Sequence, residues 1–328
     1  MLGQIEKMLE ERFGKTLKIG RTSGIGGGCI NDAHRVDTPE GSYFVKYNNA
    51  RRYPGMFSAE AKGLELLRNS QTVYVPEVIG HGEAGADSFL VLEYINAESE
   101  HPEFWEHFGR ELAKMHHQQQ VLETKSGGAA NEKDGRQKGM NSENNHMNSG
   151  NALIPQSKAR PMFGLDHNNY IGSLPQNNAW HQSWIEFFVA ERLEAQLKLA
   201  RNDGRAGPEL TRMFEKLYRH LPDFFPEEPP ALLHGDLWSG NYMRGNDGLA
   251  VIIDPAVYYG HRYMDLGMSK LFGGFLSAFY EAYHEAYPLE AAWQQSIDIA
   301  NLYPLMVHVN LFGGGYLNSV KSILRRFS

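Results

Sequence analysis

Residues 232–243 read LLHGDLWSGNYM, which sets Asp236, behind His234 and Gly235, five positions ahead of Asn241. Phosphoryl transfer needs a carboxylate beside the attacking hydroxyl and oxygen ligands for a Mg²⁺ ion that bridges phosphates. An Asp-x-x-x-x-Asn loop offers both, with Asp236 as the base and Asn241 as a metal ligand, and kinase catalytic loops use that spacing. Asp254 follows 18 residues after Asp236 in VIIDPA, closing a β-branched apolar run where a second metal ligand is expected. Either motif alone could be an ordinary turn, since Asp, Gly and Pro favour turns. Their order and spacing together point to chemistry.

Upstream, SGIGGGCIN spans Ser23–Asn31. Main-chain N–H groups of Gly26, Gly27, Gly28, Cys29 and Ile30 would cover phosphates, because glycine lets a backbone approach them closely. The segment is not a Walker A loop, and the strand-like sequence after it disfavours a Rossmann site. Lys46 ends the apolar run SYFVK and is placed to reach the α/β-phosphates. Glu60, on the next helix, is its natural ion-pair partner, although an exposed helical Glu often does nothing specific. SFLVLEYINAE reads as a strand entering a connector, where the main chain of Glu93, Tyr94 and Ile95 could meet an adenine edge. ATP and Mg²⁺ are the expected cofactors.

These groups must be carried by a definite set of elements. Leu2, Ile5, Leu9 and Phe13 share one face of a first helix, and Thr16–Ser23 is extended. Ala33–Val36 and Ser42–Tyr47 form strands joined at Pro39-Glu40-Gly41, and Val73–Ile79 and Ser88–Tyr94 form two more. Phe57–Asn69 repeats apolar residues at helical spacing. Helices follow over Pro102–Gln118, Trp180–Ala200, Glu209–His220 and most of the chain after Met264. The fold class is α+β and bilobal, protein-kinase-like: an antiparallel sheet lobe over 1–95 and a mainly helical lobe over 96–328. Within the second lobe, 121–160 lacks any aromatic residue and is rich in Gly, Asn, Ser and charge. Such a stretch is expected to be a disordered insertion.

The 328 residues, 41 % hydrophobic and 22 % charged, suffice for a sizeable core. A net charge of −7 without a long basic run disfavours nucleic acid. With no signal peptide or apolar span expected, no membrane is predicted either. Cys29 is the only cysteine, which excludes an intrachain disulfide and suits a cytoplasmic protein. No His-Glu-x-x-His occurs among the 14 histidines, which argues against a zinc hydrolase.

GGGCIN, FVKYN, HGDLWSGN, DPAVYYGH and LFGGF resemble the fructosamine kinase (ketosamine-3-kinase) family of aminoglycoside-phosphotransferase-like kinases. The resemblance covers nearly the whole chain outside 121–160. It implies ATP-dependent phosphorylation of the 3-hydroxyl of ketosamines, the sugar adducts of lysine and protein amines, leading to deglycation. The implied partner is a glycated lysine or protein, or a small ketosamine, with the enzyme a monomer or homodimer. FGLDHNNYIGSLPQNN resembles the family's substrate-side segment, so Asp166, His167, Asn168 and Asn169 are candidates for sugar hydroxyls or form a plain polar loop. Trp238 is either a sugar platform or a core anchor beside the catalytic loop. Tyr263 and Met264 depart from the family, which often carries Glu and then a small or apolar residue there. Asp265 compensates for that Glu or is structural.

Two other readings stand beside this one: a kinase of another alcohol (an aminoglycoside, choline or homoserine), and a non-catalytic nucleotide-binding module. Cys29 adds a redox hypothesis, because N–H groups flanking a thiol lower its pKa. A small buried residue without redox role is the alternative.

Overall fold

The computed structural model describes residues 1–26, 31–118 and 161–327. Gly27, Gly28, Cys29, Ile30 and the 121–160 insertion therefore lie outside the described residues. Helix α1 (Leu2–Phe13) leads into strands β1 (Arg21–Ile25), β2 (Asp32–Thr38) and β3 (Gly41–Asn49). Helix α2 (Met56–Asn69) precedes the hairpin of β4 (Val78–Ala84) and β5 (Asp87–Glu93). The five strands form one antiparallel sheet in the order β1-β2-β3-β5-β4.

The period-two alternation of a strand divides this sheet between two cores. Phe89 and Val91 of β5 join Val36 and Val45 beneath Ile5 and Leu9 of α1, whereas Leu90 and Leu92 join Phe57, Leu64 and Leu67 of α2. That second core continues into the helical lobe. Burial of both faces explains why β5 reads as a nearly unbroken apolar run. On β3 the same alternation sends Val45 towards α1 and leaves Lys46 4 % exposed on the opposite face. At the ends of α1, Leu2 and Phe13 stay exposed.

The strand expected over Val73–Ile79 instead begins at Val78. Pro76 has no N–H to donate to a ladder. Val73 and Val75 turn into the main core, and Tyr74 makes a single parallel bridge with Val251.

The helical lobe opens with α3 (Phe104–His117), followed by the short hairpin β6 (Asn169–Ile171) and β7 (Leu174–Gln176). Next, α4 (Trp184–Phe187) passes through a π-helical stretch, Phe188–Glu194, into α5 (Ala195–Asn202). The helix expected from Trp180 starts at Trp184 because Ser183 is its N-cap, accepting from Glu186 N–H. Then come α6 (Pro208–Tyr218), β8 (Ala231–Leu233), β9 (Tyr242–Arg244), β10 (Ala250–Ile252) and β11 (Tyr258–Gly260). Five helices complete the chain: α7 (Tyr263–Leu271), α8 (Ser277–Ala286), α9 (Trp293–Ala300), α10 (Leu302–Phe312) and α11 (Tyr316–Phe327). Among the described residues no helix is long and apolar enough to cross a membrane.

Helices α3 and α8 approach so closely at Gly109 that a Cβ there would lie 2.2 Å from Phe279 O and 3.1 Å from Tyr283 N. Gly109→Ala is therefore expected to destabilise the protein by about 1–3 kcal/mol through overpacking. A denaturation midpoint equal to that of the unmodified protein would contradict this close approach.

Candidate active site

Two short antiparallel strand pairs, one nested within the other along the chain, hold the phosphoryl-transfer motifs side by side. Strand β8 pairs with β11 and β9 with β10, so the loop 234–241 leaves one pair and enters the other. Gly235 has φ +82°, and a Cβ on it would come within 2.1 Å of Ala256 O, so only glycine fits. Ala256 N–H donates to His234 O at 2.9 Å and Ile253 N–H to Asn241 O at 3.0 Å, tying both ends of the loop to the Asp254 segment. His234 is fully buried, and its Nε2 is 2.9 Å from Ile253 O. A carbonyl can only accept, so Nε2 carries the proton and Nδ1 accepts from Asp236 N–H at 3.2 Å. Burial lowers the pKa of this ring and keeps it in that neutral form.

The charged groups meet above this frame. Lys46 Nζ lies 2.7 Å from Glu60 Oε1 and 3.0 Å from Asp254 Oδ1. Burial disfavours the ammonium, yet the two carboxylates outweigh it and hold the Lys46 pKa above its ordinary value. Asn241 Nδ2 donates at 2.9 Å to both the main-chain oxygen and Oδ2 of Asp236. Burial pushes Asp236 up to about 7, with the Asn241 bond opposing and the Asp254 and Asp265 charges assisting. Asp236, Asn241, Asp254, Lys46 and Glu60 all line one cleft of about 270 Å³.

The family model of the fructosamine kinases matches residues 1–146 and 134–328. The chain belongs to the fructosamine kinase family. It is 36 % identical over 322 residues to a probable ketoamine kinase of Synechocystis, covering 98 % of this chain and 95 % of that one. With the mouse ketosamine-3-kinase it shares 32 % over 330 residues, 99 % of this chain and 100 % of the other. A putative fructosamine-3-kinase from Thermobifida fusca superposes with TM-score 0.76 at 30 % identity, covering 99 % of this chain and 98 % of that one. The aminoglycoside phosphotransferase APH(4)-Ia, at TM-score 0.56 and 13 % identity with both chains fully covered, shares the fold.

In this member of the family the substrate-side candidates divide. Asn169 lines the cleft, whereas Asp166, His167 and Asn168 line a separate hollow with Trp180 and Glu191. Asn169 is also a structural hub. Its Nδ2 donates to Val257 O at 2.8 Å, and its Oδ1 accepts from Gln176 Nε2 at 2.8 Å and Asn178 Nδ2 at 2.9 Å. Gln176 in turn accepts from Tyr303 Oη at 2.6 Å, and Asn178 Oδ1 accepts from Arg192 Nη2 at 2.7 Å. Arg192 is fully buried in the π-helical stretch, its guanidinium 4.0 Å from the Tyr258 ring.

Trp238 stands half-buried in the cleft wall, edge-on to Phe272 at 6.2 Å. Gly240 leaves room for it, since a Cβ there would come 2.4 Å from the indole. Glu93 closes β5, where its carboxylate accepts from Tyr74 Oη at 2.8 Å and Glu77 N–H at 3.1 Å. Tyr94 carries Arg35 over its ring at 4.5 Å, and Ile95 is buried. These three residues stand at the exit from the sheet, away from the lining of the cleft. Gly26 ends the described part of the glycine segment. Tyr263 is fully buried, packed on His261 with ring centroids 4.5 Å apart.

Spacing alone did not give Asp265 its role. It is fully buried on α7 and accepts His234 N–H at 2.8 Å on Oδ2 and Gly235 N–H at 2.9 Å on Oδ1. His116 Nε2 lies 3.2 Å from Oδ2, and the other ring nitrogen is 2.8 Å from Tyr283 Oη. Asn31, pinned by Asn48 Nδ2 at 2.9 Å, and a face of α10 also line the cleft. Asn31 lay within the glycine motif, but the apolar run of α10 carried no signal. Asp265→Asn should cut turnover by about a hundredfold through misplacement of the loop, with ATP affinity nearly intact. Unchanged turnover would remove Asp265 as the anchor of the loop.

Proposed function

We propose that this protein transfers the γ-phosphoryl group of ATP to the 3-hydroxyl of a ketosamine, promoting deglycation of the amine. The observation that carries the reading is Asp236, raised to about 7 and oriented by Asn241 in the cleft that also holds Lys46, Glu60 and Asp254. The names of the relatives, ketosamine-3-kinase in mouse and protein-ribulosamine 3-kinase in Arabidopsis thaliana, supply the acceptor class.

Asp236 accepts the hydroxyl proton as that oxygen attacks the γ-phosphorus, and the bond to the β-phosphate oxygen breaks to release ADP. Lys46, steadied by Glu60, orients the α/β-phosphates. The main chain of Glu93–Ile95 meets the adenine where the sheet lobe ends near residue 95. The donor set suits Mg²⁺: one carboxylate from Asp254 and the amide oxygen of Asn241 leave the remaining positions to water and phosphate, as this ion prefers. When bound, Mg²⁺ would neutralise charge on the phosphates. A reducing cytoplasmic setting accords with the single cysteine.

The direct test is ADP release from Mg-ATP with ribulose-, erythrulose- and fructose-lysine, alongside choline and an aminoglycoside. Ketosamines should exceed the no-acceptor control. Turnover of choline or the aminoglycoside alone would defeat the reading. Asp236→Asn should lose about 10²–10⁴-fold in turnover, as expected for a general base, while still binding ATP; near-normal turnover would exclude Asp236 as the base. Only ionised Asp236 can accept a proton, so kcat/KM should fall as pH drops through about 7. A flat profile across that range would place the base elsewhere.

A further inference from the structure

One wall of the cleft is built by a single face of α10. Val307, His308, Leu311 and Phe312 all line it, at positions that stack on one side of a helix. Exposure rises along this face, from 2 % at Val307 to 60 % at Phe312, so the wall runs from the floor to the mouth. At about 1.5 Å of rise per residue it spans roughly 7 Å. Phe312 is the most exposed large apolar side chain among the described residues. It is nonetheless held by neighbours: His308 at 5.5 Å and Tyr316 at 6.4 Å between ring centroids. His308 packs on Phe272 at 4.6 Å, and Phe272 meets Trp238 at 6.2 Å. An aromatic and aliphatic surface therefore extends without a break from the catalytic loop to the solvent.

The chemistry of a ketosamine says what this surface must meet. The nitrogen sits on C1 and the reacting hydroxyl on C3, so the nitrogen is three bonds from the reacting carbon. With the hydroxyl at Asp236, whatever the nitrogen carries still lies inside the cleft. We propose that Leu311 and Phe312 form the subsite for that amine substituent, selecting ketosamines with an alkyl stem on nitrogen over those with a short polar group. The inference rests on the ketosamine reading and concerns the half of the acceptor that does not react.

Charge agrees with the assignment. A secondary alkylamine is cationic at neutral pH, and the one lysine lining the cleft, Lys46, is already held by Glu60 and Asp254. Burial lowers the His308 pKa, and its Nδ1 donates to Pro304 O at 2.7 Å, so the ring adds no positive charge to the wall. Aromatic faces attract a cation passing over them, and methylenes beyond the nitrogen gain by leaving water. A stem of several methylenes, such as that of a lysyl side chain, would reach the rim at Phe312.

The test uses ribulosamines of hexylamine and of ethanolamine, which share the reacting half. The full-length enzyme should favour the hexylamine adduct in kcat/KM by about 15- to 60-fold, as burial of two or three methylenes would give. In Phe312→Ser and Leu311→Ser this preference should fall towards one, and Phe312→Leu should retain most of it. Melting temperatures measured alongside separate a local effect from loss of fold. Equal kcat/KM for the two adducts in the unmodified enzyme, or a preference that survives both serine variants, overturns the subsite alone. Failure of both adducts to accept phosphate while another alcohol does overturns the ketosamine reading and the subsite with it.

Discussion

Two adjacent N–H groups, those of His234 and Gly235, end on the two oxygens of one buried carboxylate, Asp265. A hydrogen bond to a charged acceptor contributes about 1.5–3 kcal/mol, and a pair of them fixes the turn as well as its position. The left-handed backbone at Gly235 follows from that grip, and so does the contact with Ala256 that excludes any side chain. His234 carries the constraint onward through Ile253 O to the strand that presents Asp254. Asp236 and Asp254 are thus positioned from the same buried point, which α3 and α8 hold through His116 and Tyr283.

Lys46 brings the sheet into this arrangement. It comes from β3, Glu60 from α2 and Asp254 from the helical lobe, so one ammonium joins charges from both lobes. The Glu60 bond is almost wholly buried, while Asp254 is 47 % exposed at its side chain. An ion pair open to water is weak compared with one that is shielded. Lys46 is therefore shielded on its Glu60 side and opens to the cleft on its Asp254 side.

What the sequence disclosed follows the same division between local and distant. Lys46 and Glu60 sit on consecutive elements, and Asp236, Asn241 and Asp254 lie on the short connections between two nested strand pairs, so their spacing was informative. Asp265 reaches back across 31 residues to the catalytic loop, and no periodicity encodes such a reach. The face of α10 was hidden for a different reason. Nearly every residue of LYPLMVHVNLF is apolar and most are buried, so no amphipathic pattern separates cleft wall from core. Val73–Ile79 misled because β-branched residues bury equally well outside a sheet. Asp166 and Asn169 stand three residues apart in one polar run, yet local hairpin geometry turns them towards different hollows.

The polar chain beneath the cleft, Arg192–Asn178–Asn169–Gln176–Tyr303, joins the floor through the main-chain oxygens of Ala256 and Val257. Each member satisfies a neighbour that has little access to water, and a half-satisfied buried network is costlier than none. Arg192 sharpens this, because its charge is stabilised by amide oxygens and aromatic faces. On that physical ground the five residues would be kept or exchanged together over evolutionary time. A lineage can exchange the whole set for an apolar floor, but intermediates with part of it gone cross a valley of poorly folded chains.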